Sequence, residues 1–329
     1  MNNAGTLGER KIIDMILKRL EHMPNMPIPF GDDVSAVDLG NGRLAVIKTD
    51  MLVGKTDVPP GMSMWQAARK AVVMSISDLA AKGVKTTALL VSLGIPRELP
   101  AEEVAQIGEG LNTGAREYDA YILGGDTNEA SDLIISCSAF GIAEKNSLML
   151  RSGAKPGDIV AVTGKFGKTA SGLQILLGNM SPPAPLRKRL VDSVVMPKAR
   201  LSEGLALAQT GAITASIDSS DGLAWSLHEL SKASKVGFVI DNLPTAEEVA
   251  DLAKLHKIDP VELCLYGGEE HELVVTVRRE LFEKVMKKVP LIKIGHAARE
   301  KSLTLRMHKK QISIEARGWE HFKTSLPKS

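Results

Sequence analysis

No stretch of this 329-residue chain approaches the roughly 18 consecutive apolar residues that a membrane-spanning helix needs. The first twenty residues, "MNNAGTLGERKIIDMILKRL", carry charges throughout and open like an amphipathic helix, so no signal peptide is expected. Cysteine is nearly absent. Cys137 and Cys264 stand far apart with no paired spacing, which excludes a disulfide framework and suits a reducing, cytoplasmic setting. There is no excess of charge of either sign, with 41 Lys and Arg against 39 Asp and Glu. A basic field for nucleic acid is therefore excluded. Aromatics make up only 4% of the chain, so each one carries weight. What is present in quantity is apolar material, at 44%. At this length two domains are expected, because single cores rarely grow past about 250–300 residues.

The pattern along the chain alternates between helix and strand without a steady strand–helix–strand rhythm. Residues 9–20 carry apolar residues at helical spacing. "VSAVDL" and "LAVIKTD" flank "GNG" at Gly40–Gly42, a hairpin signal. Residues 63–82 form a long helix of small residues, followed by the strand "TTALLVSLGI", a helix over 101–118, and the strands "AYILGG" and "LIISCSAFGIA". At 151–157 the texture changes to the turn cluster "RSGAKPG". The boundary is expected there, giving domains 1–150 and 151–329. In the second half, strands are expected at "DIVAVTG", "ITASID", "GFVID", "ELVVTV", "LIKIGHA" and "LTLRM". Helices are expected at "KTASGLQILL", around 200–209 and at 222–234, with "SPPAPL" as a loop. The mixture predicts α+β in both halves.

Acids stand at the ends of these elements beside Gly, Ser or Thr. They are Asp32 and Asp33 in "GDD", Asp50 in "KTD", Asp78 in "SDLAAKG", Asp126 in "GGDT", and Asp218 with Asp221 in "DSSDG". Any one of them suits a helix cap or a turn. Together they predict a hard cation, which takes oxygen ligands and brings phosphates with it. Asp78 is the sharpest case, because an acid between Ile76 and Leu79 inside a helix is costly unless paired or bound to metal. "GKFGKT" at 164–169 and "GKT" at 54–56 imitate a phosphate loop. The glycine that motif needs five residues earlier is replaced by Val162 and Thr49. The first of these can still feed a helix N-terminus that favours an anion.

In order along the chain, "GDDVSAV", "KTDMLV", "SDLAAKG", "GGDT", "RSGAKPGD", "IDSSDGL", "GGEEHEL" and "GWEHF" resemble the motifs of the thiamine-monophosphate kinases, within the aminoimidazole ribonucleotide synthetase-like ATP-binding family. The resemblance runs from residue 31 to residue 322. It implies a two-domain α+β fold whose N-terminal sheet pairs across a homodimer. It implies ATP-dependent phosphorylation of thiamine monophosphate by direct, Mg²⁺-assisted transfer, with ATP and thiamine monophosphate as the partners and neither nucleic acid nor membrane. By similarity, Asp33, Thr49, Asp50, Asp78, Asp126, Asp218 and Asp221 are expected to hold several Mg²⁺ ions. Gly125, Arg151 and Ser220 are expected at ATP, and Asp57, Glu269 and Trp319 at the substrate. Trp319 offers a flat face to a thiazolium, or else packs the tail onto the domain.

The resemblance also implies departures. Asp57 stands where many bacterial members carry a histidine, and Glu270 and His271 replace an Asp–Tyr pair. Two other functions stay open: another ATP-dependent synthetase of the superfamily, and a non-enzymatic nucleotide-binding regulator on the same fold. The first is disfavoured by the lack of a cysteine before Cys137 and by the ending "TSLPKS". The second is disfavoured by the intact acid set. One further argument supports the dimer. "TTALLVSLGI" and "LIISCSAFGIA" are more apolar than a sheet with one wet face requires.

Overall fold

A computed structural model describes residues 3–307 and 310–322. The chain opens with two short helices, α1 (Ala4–Leu7) and α2 (Glu9–Leu17). A hairpin follows, β1 (Ser35–Gly40) and β2 (Arg43–Val53). Gly40, Asn41 and Gly42 all take positive φ, the backbone that two glycines and an asparagine adopt most readily. After α3 (Gly54–Asp57) come α4 (Met64–Ala81), β3 (Thr86–Ile95), α5 (Ala101–Arg116), β4 (Tyr121–Glu129) and β5 (Ile134–Glu144). The five strands form one sheet in the order β1-β2-β5-β3-β4. Only β3 and β4 run parallel, joined by α5 as a crossover.

The small residues of α4 have a packing reason. Its N-cap Ser63 and Gln66 form a reciprocal capping box. From Ala67 onward almost every side chain is buried, because the helix lies between the sheet, α5 and the second domain. Glycines let the neighbours approach. A methyl group at Gly114 of α5 would stand 3.1 Å from the Arg69 carbonyl oxygen.

The second domain contributes β6 (Ile159–Val162), α6 (Lys168–Leu176), α7 (Ala184–Val195), α8 (Leu201–Ala208), β7 (Ile213–Asp218), α9 (Leu223–Ser234) and β8 (Gly237–Ile240). It continues with α10 (Glu247–His256), α11 (Pro260–Tyr266), β9 (Leu273–Val277), α12 (Phe282–Met286), β10 (Ile292–Ala298), β11 (Leu303–Met307) and β12 (Lys310–Ser313). Its sheet runs β12-β11-β8-β10-β6-β9-β7, antiparallel except between β8 and β11. β6, β8 and β9 are buried along their whole length, which accounts for their nearly unbroken apolar runs, broken only by Thr276 of β9. The α+β expectation holds in both halves. Besides the one-turn α1 and α3, four helices among the described residues, α7, α10, α11 and α12, escape the sequence reading, and the expected loop "SPPAPL" already enters α7 at Ala184 behind Pro183. The first long helix stops at Leu17 rather than residue 20.

The five-stranded sheet is covered on one face only. Its other face exposes Val37, Leu39, Ile47, Met51, Leu90, Tyr121, Leu123 and Ile142, with Leu123 at 72%. Such a broad apolar surface is unusual for a lone domain.

Candidate active site

Three carboxylates converge where the two domains meet. Asp33 lies in the loop before β1, Asp78 lies near the end of α4, and Asp218 ends β7. All three are buried, and one oxygen from each lies within 4.8 Å of the others. Asp50, from β2, reaches the edge of this group. Its Oδ2 is buried with no hydrogen-bond partner. Burial and the like charges of Asp218, Asp50 and Asp33 push the Asp78 carboxyl well above its ordinary range, against the pull of Lys48. An all-oxygen set that repels itself and keeps an orphaned oxygen suits a hard divalent cation.

Asp218 and Asp221 bracket the turn into α9, yet neither side chain caps it, since the N-cap is Gly222 and it makes no side-chain bond. Asp218 Oδ2 instead accepts from Ser77 Oγ at 2.7 Å and stands 3.8 Å from His271 Nδ1. Burial opposes ionisation of Asp218, but His271, Ser77 and Lys48 together hold its carboxyl below the usual range. Asp221 lies apart from the trio. Burial, then the charge of Glu9, push its carboxyl up to about 6. Its carbonyl accepts the Trp319 N–H at 3.1 Å, which ties the tail to the site.

Cations neutralise part of this charge. Lys82, the C-cap of α4, is fully buried. Its Nζ lies 2.7 Å from Asp32 Oδ1 and 2.6 Å from Asp33 Oδ2, and donates to the Ser216 carbonyl at 2.8 Å. Arg151 grips Asp33 Oδ1 with Nε at 2.7 Å and also with Nη2, while Nη1 donates to the Gly31 carbonyl. Lys48 Nζ bridges Asp50 Oδ1 at 3.1 Å and Asp78 Oδ2 at 3.0 Å. Sequence reasoning missed both lysines because it followed the acids. The signals were there: Lys48 shares a strand face with Asp50 two residues on, and Lys82 lies one helical turn after Asp78.

Other expected residues fall elsewhere. Thr49 points to the opposite face of β2 from Asp50, where Ser138 Oγ donates to it at 3.0 Å. Asp126 is exposed on β4, three strands from Asp50 and so about 14 Å away by strand spacing. Neither joins the trio within this chain. Gly125 is required by packing, because a methyl group there would lie 2.6 Å from the Val91 carbonyl carbon. The Asp57 carboxylate turns back onto the Val53 N–H at 2.7 Å. Ser220 is exposed, and its carbonyl accepts the Glu269 N–H at 2.5 Å. Glu269 Oε1 meets the fully buried Lys70 ammonium at 2.5 Å, and Lys70 also donates to the Asp57 carbonyl at 3.0 Å. Trp319 is 44% exposed, and its Cβ lies beside Gly268. Glu269 and His271 both take positive φ, so the "GGEEHEL" turn is conformationally strained.

The N-terminus of α6, expected to favour an anion, already has one. The half-buried Glu270 carboxylate accepts from the N–H groups of Gly167 at 2.6 Å and Thr169 at 3.1 Å. Burial pushes its carboxyl up to about 7.

Two family models match the chain, "AIR synthase related protein, N-terminal domain" over residues 31–143 and "AIR synthase related protein, C-terminal domain" over residues 155–308. The thiamine-monophosphate kinase of Nitrosopumilus maritimus is 34% identical over 322 residues, covering 96% of this chain and 99% of the relative. That of Pyrococcus horikoshii is 36% identical over 320 residues, covering 96% and 97%. The chain belongs to the thiamine-monophosphate kinase family. A solved chain of this family, AaThiL complexed with AMPPCP and TMP, superposes with a TM-score of 0.86 at 26% identity, covering 98% of this chain and 99% of that one. The hydrogenase maturation protein HypE of E. coli, at 20% identity and a TM-score of 0.71, shares the fold.

Proposed function

We propose that this chain transfers the γ-phosphoryl group of ATP to the phosphate of thiamine monophosphate, giving ADP and thiamine diphosphate. The observation that carries this is the near-complete superposition on a family member complexed with an ATP analogue and TMP, with a buried carboxylate trio at the domain seam. An oxygen of the acceptor phosphate attacks the γ-phosphorus as the bond to the β–γ bridging oxygen breaks. No side chain needs to carry the phosphoryl group. Burial pushes both thiols, Cys137 and Cys264, up to about 12, which removes them as nucleophiles.

Such a transfer depends on positioning and on charge neutralisation. Asp33, Asp78 and Asp218, with Asp50 beside them, are the residues that would hold Mg²⁺, and the ion would neutralise phosphate oxygens there. Arg151 holds Asp33 in place and lies where its guanidinium can turn toward a phosphate. Lys70 fixes Glu269 across the domain seam, and Glu269 with the Trp319 ring presents an acidic and aromatic wall to the cationic thiazolium. We also infer a homodimer formed through the bare apolar face of the five-stranded sheet, and a cytoplasmic setting for the enzyme. Among the described residues no helix is long and apolar enough to cross a membrane.

The test is direct. Purified protein with ATP, Mg²⁺ and thiamine monophosphate should yield equal amounts of ADP and thiamine diphosphate by chromatography. Thiamine in place of its monophosphate should yield none. Release of ADP without thiamine diphosphate would refute this reading.

A further inference from the structure

Five carboxylates, Asp32, Asp33, Asp50, Asp78 and Asp218, share the seam with three side-chain cations, Lys48, Lys82 and Arg151. Glu229 also lies 3.7 Å from Arg151, so the acids outnumber the cations and leave the seam suited to a divalent ion. Lys82 and Arg151 both bind Asp33, on one side of the trio. Lys48 differs, because its ammonium links Asp78 of the trio to Asp50 beside it. It stands 3.1 Å from Asp50 and 3.0 Å from Asp78 on one side, and Asp33 and Asp218 also act on its charge. The stem is held by β2, paired on both sides by β1 and β5, so the ammonium is delivered from a rigid strand.

We propose that the Lys48 ammonium is a tethered cation that fills the gap between Asp50 and Asp78 in place of one divalent ion. The proposal rests on the metal reading above and deepens it. Lys48 is a positioning residue: it holds Asp50 and Asp78 in register, and it confines the first free ion to the trio formed with Asp33 and Asp218. The nucleotide-free protein then carries one divalent ion, and any further ions enter with the phosphates, which bring negative charge of their own.

Two features support this. Asp50 uses only Oδ1 on Lys48, and its buried Oδ2 is left without a partner. The carboxylate therefore serves two cations at once, the resident ammonium and one that arrives. Both ring nitrogens of the buried His271 lack a hydrogen bond, and Nδ1 stands 3.8 Å from Asp218, so the site keeps unused polar capacity beyond the lysine.

Mn²⁺ binding to the nucleotide-free protein, counted by electron paramagnetic resonance of the free ion, tests the proposal. Lys48→Met keeps the length of the stem and removes the charge. It is expected to bind one more Mn²⁺ per chain than the parent, or the same number at least about tenfold more tightly. A unit charge beside a divalent ion is worth well over that factor at the effective dielectric of a protein. Lys48→Arg is expected to match the parent. Melting temperature with and without Mn²⁺ gives a second readout, in which Lys48→Met should gain more from the ion than the parent does. Equal counts and affinities in Lys48→Met and the parent, weaker binding in the variant, or no Mn²⁺ in either protein would each overturn the proposal. The count uses no substrate. Failure to phosphorylate thiamine monophosphate would therefore leave it standing, and an unchanged count in an active enzyme would remove the Lys48 role alone.

Discussion

Gly204 of α8 meets α4 two residues beyond Asp78, and this contact lets packing and chemistry be tested with one methyl group. A Cβ at Gly204 would lie 2.8 Å from the Ala80 carbonyl carbon and 3.3 Å from its Cα, with the carbonyl oxygen closer still. Carbon pairs rest at about 3.5–4.0 Å, so Gly204→Ala has to move one helix by about 1 Å. Overpacking of this kind costs about 1–3 kcal/mol. For domains of this size each kcal/mol lowers Tm by about 2–4 °C, so a drop of about 2–12 °C is expected. The displaced end of α4 carries Asp78 and its Lys82 cap. A misplacement of about 1 Å in a positioned group can cost about 100-fold in turnover. Calorimetry and steady-state kinetics measure the two effects. Gly108 provides the contrast, since it sits in α5 with nothing within 4 Å of its Cβ position. Gly108→Ala should raise Tm by about 1–4 °C through helix propensity and chain entropy, with activity unchanged. A Gly204→Ala variant with the parent's Tm and turnover would refute the reasoning, because α4 would then not be wedged.

Three further outcomes are expected. Glu270 is held more protonated in the folded chain, with a carboxyl at about 7 against 4.5 for an ordinary glutamate. Its contribution is therefore full below pH 4.5 and lost as pH rises through 7. Glu270→Gln keeps an acceptor for Gly167 and Thr169, so its melting advantage over the parent should grow from pH 5 to pH 8 by up to about 3 kcal/mol; an advantage independent of pH would contradict the burial of that charge. Trp319→Ala should raise KM for thiamine monophosphate about 2- to 30-fold, the equivalent of about 0.5–2 kcal/mol of cation–π contact, while KM for ATP stays constant and Trp319→Phe recovers most of the loss. Earlier melting with unchanged kinetics would instead make this tryptophan a tail anchor. Light scattering should give twice the chain mass of 35.3 kDa, and Leu123→Lys, at 72% exposure on the bare sheet face, should shift it toward the monomer.

Much of the fold was legible because the local and global signals agree. "GNG" supplies three residues suited to positive φ, and the hairpin forms there. The most apolar strands of the second domain, β6, β8 and β9, are buried along their length and lie inside the sheet rather than at its edges. α7 was hidden because "SPPAP" reads as a breaker, whereas Pro183 serves as the N-cap of the helix it precedes. α11 has only seven residues, too few for a period to stand out, whereas α10 does carry Val249, Leu252 and Ala253 at helical spacing, a signal the sequence reading passed over. In the site, the positions of Asp33, Asp78 and Asp218 follow from motifs, but their convergence is a long-range fact about two domains. Pairing Thr49 with Asp50 overlooks the alternation of a strand, which sends neighbours to opposite faces. That Glu270 closes the N-terminus of α6 could not be seen in the sequence, because the partners lie about a hundred residues apart.

The trio takes Asp33 and Asp78 from one domain and Asp218 from the other. Neither half owns a complete chelate, so a divalent ion can be gripped by all three only after the halves have docked. The free energy of gripping it then adds cohesion across the seam, and the ion acts as a rivet between the two halves. A chimaera joining this N-terminal half to the C-terminal half of a distant relative would be judged first by whether it chelates, before any question of turnover arises.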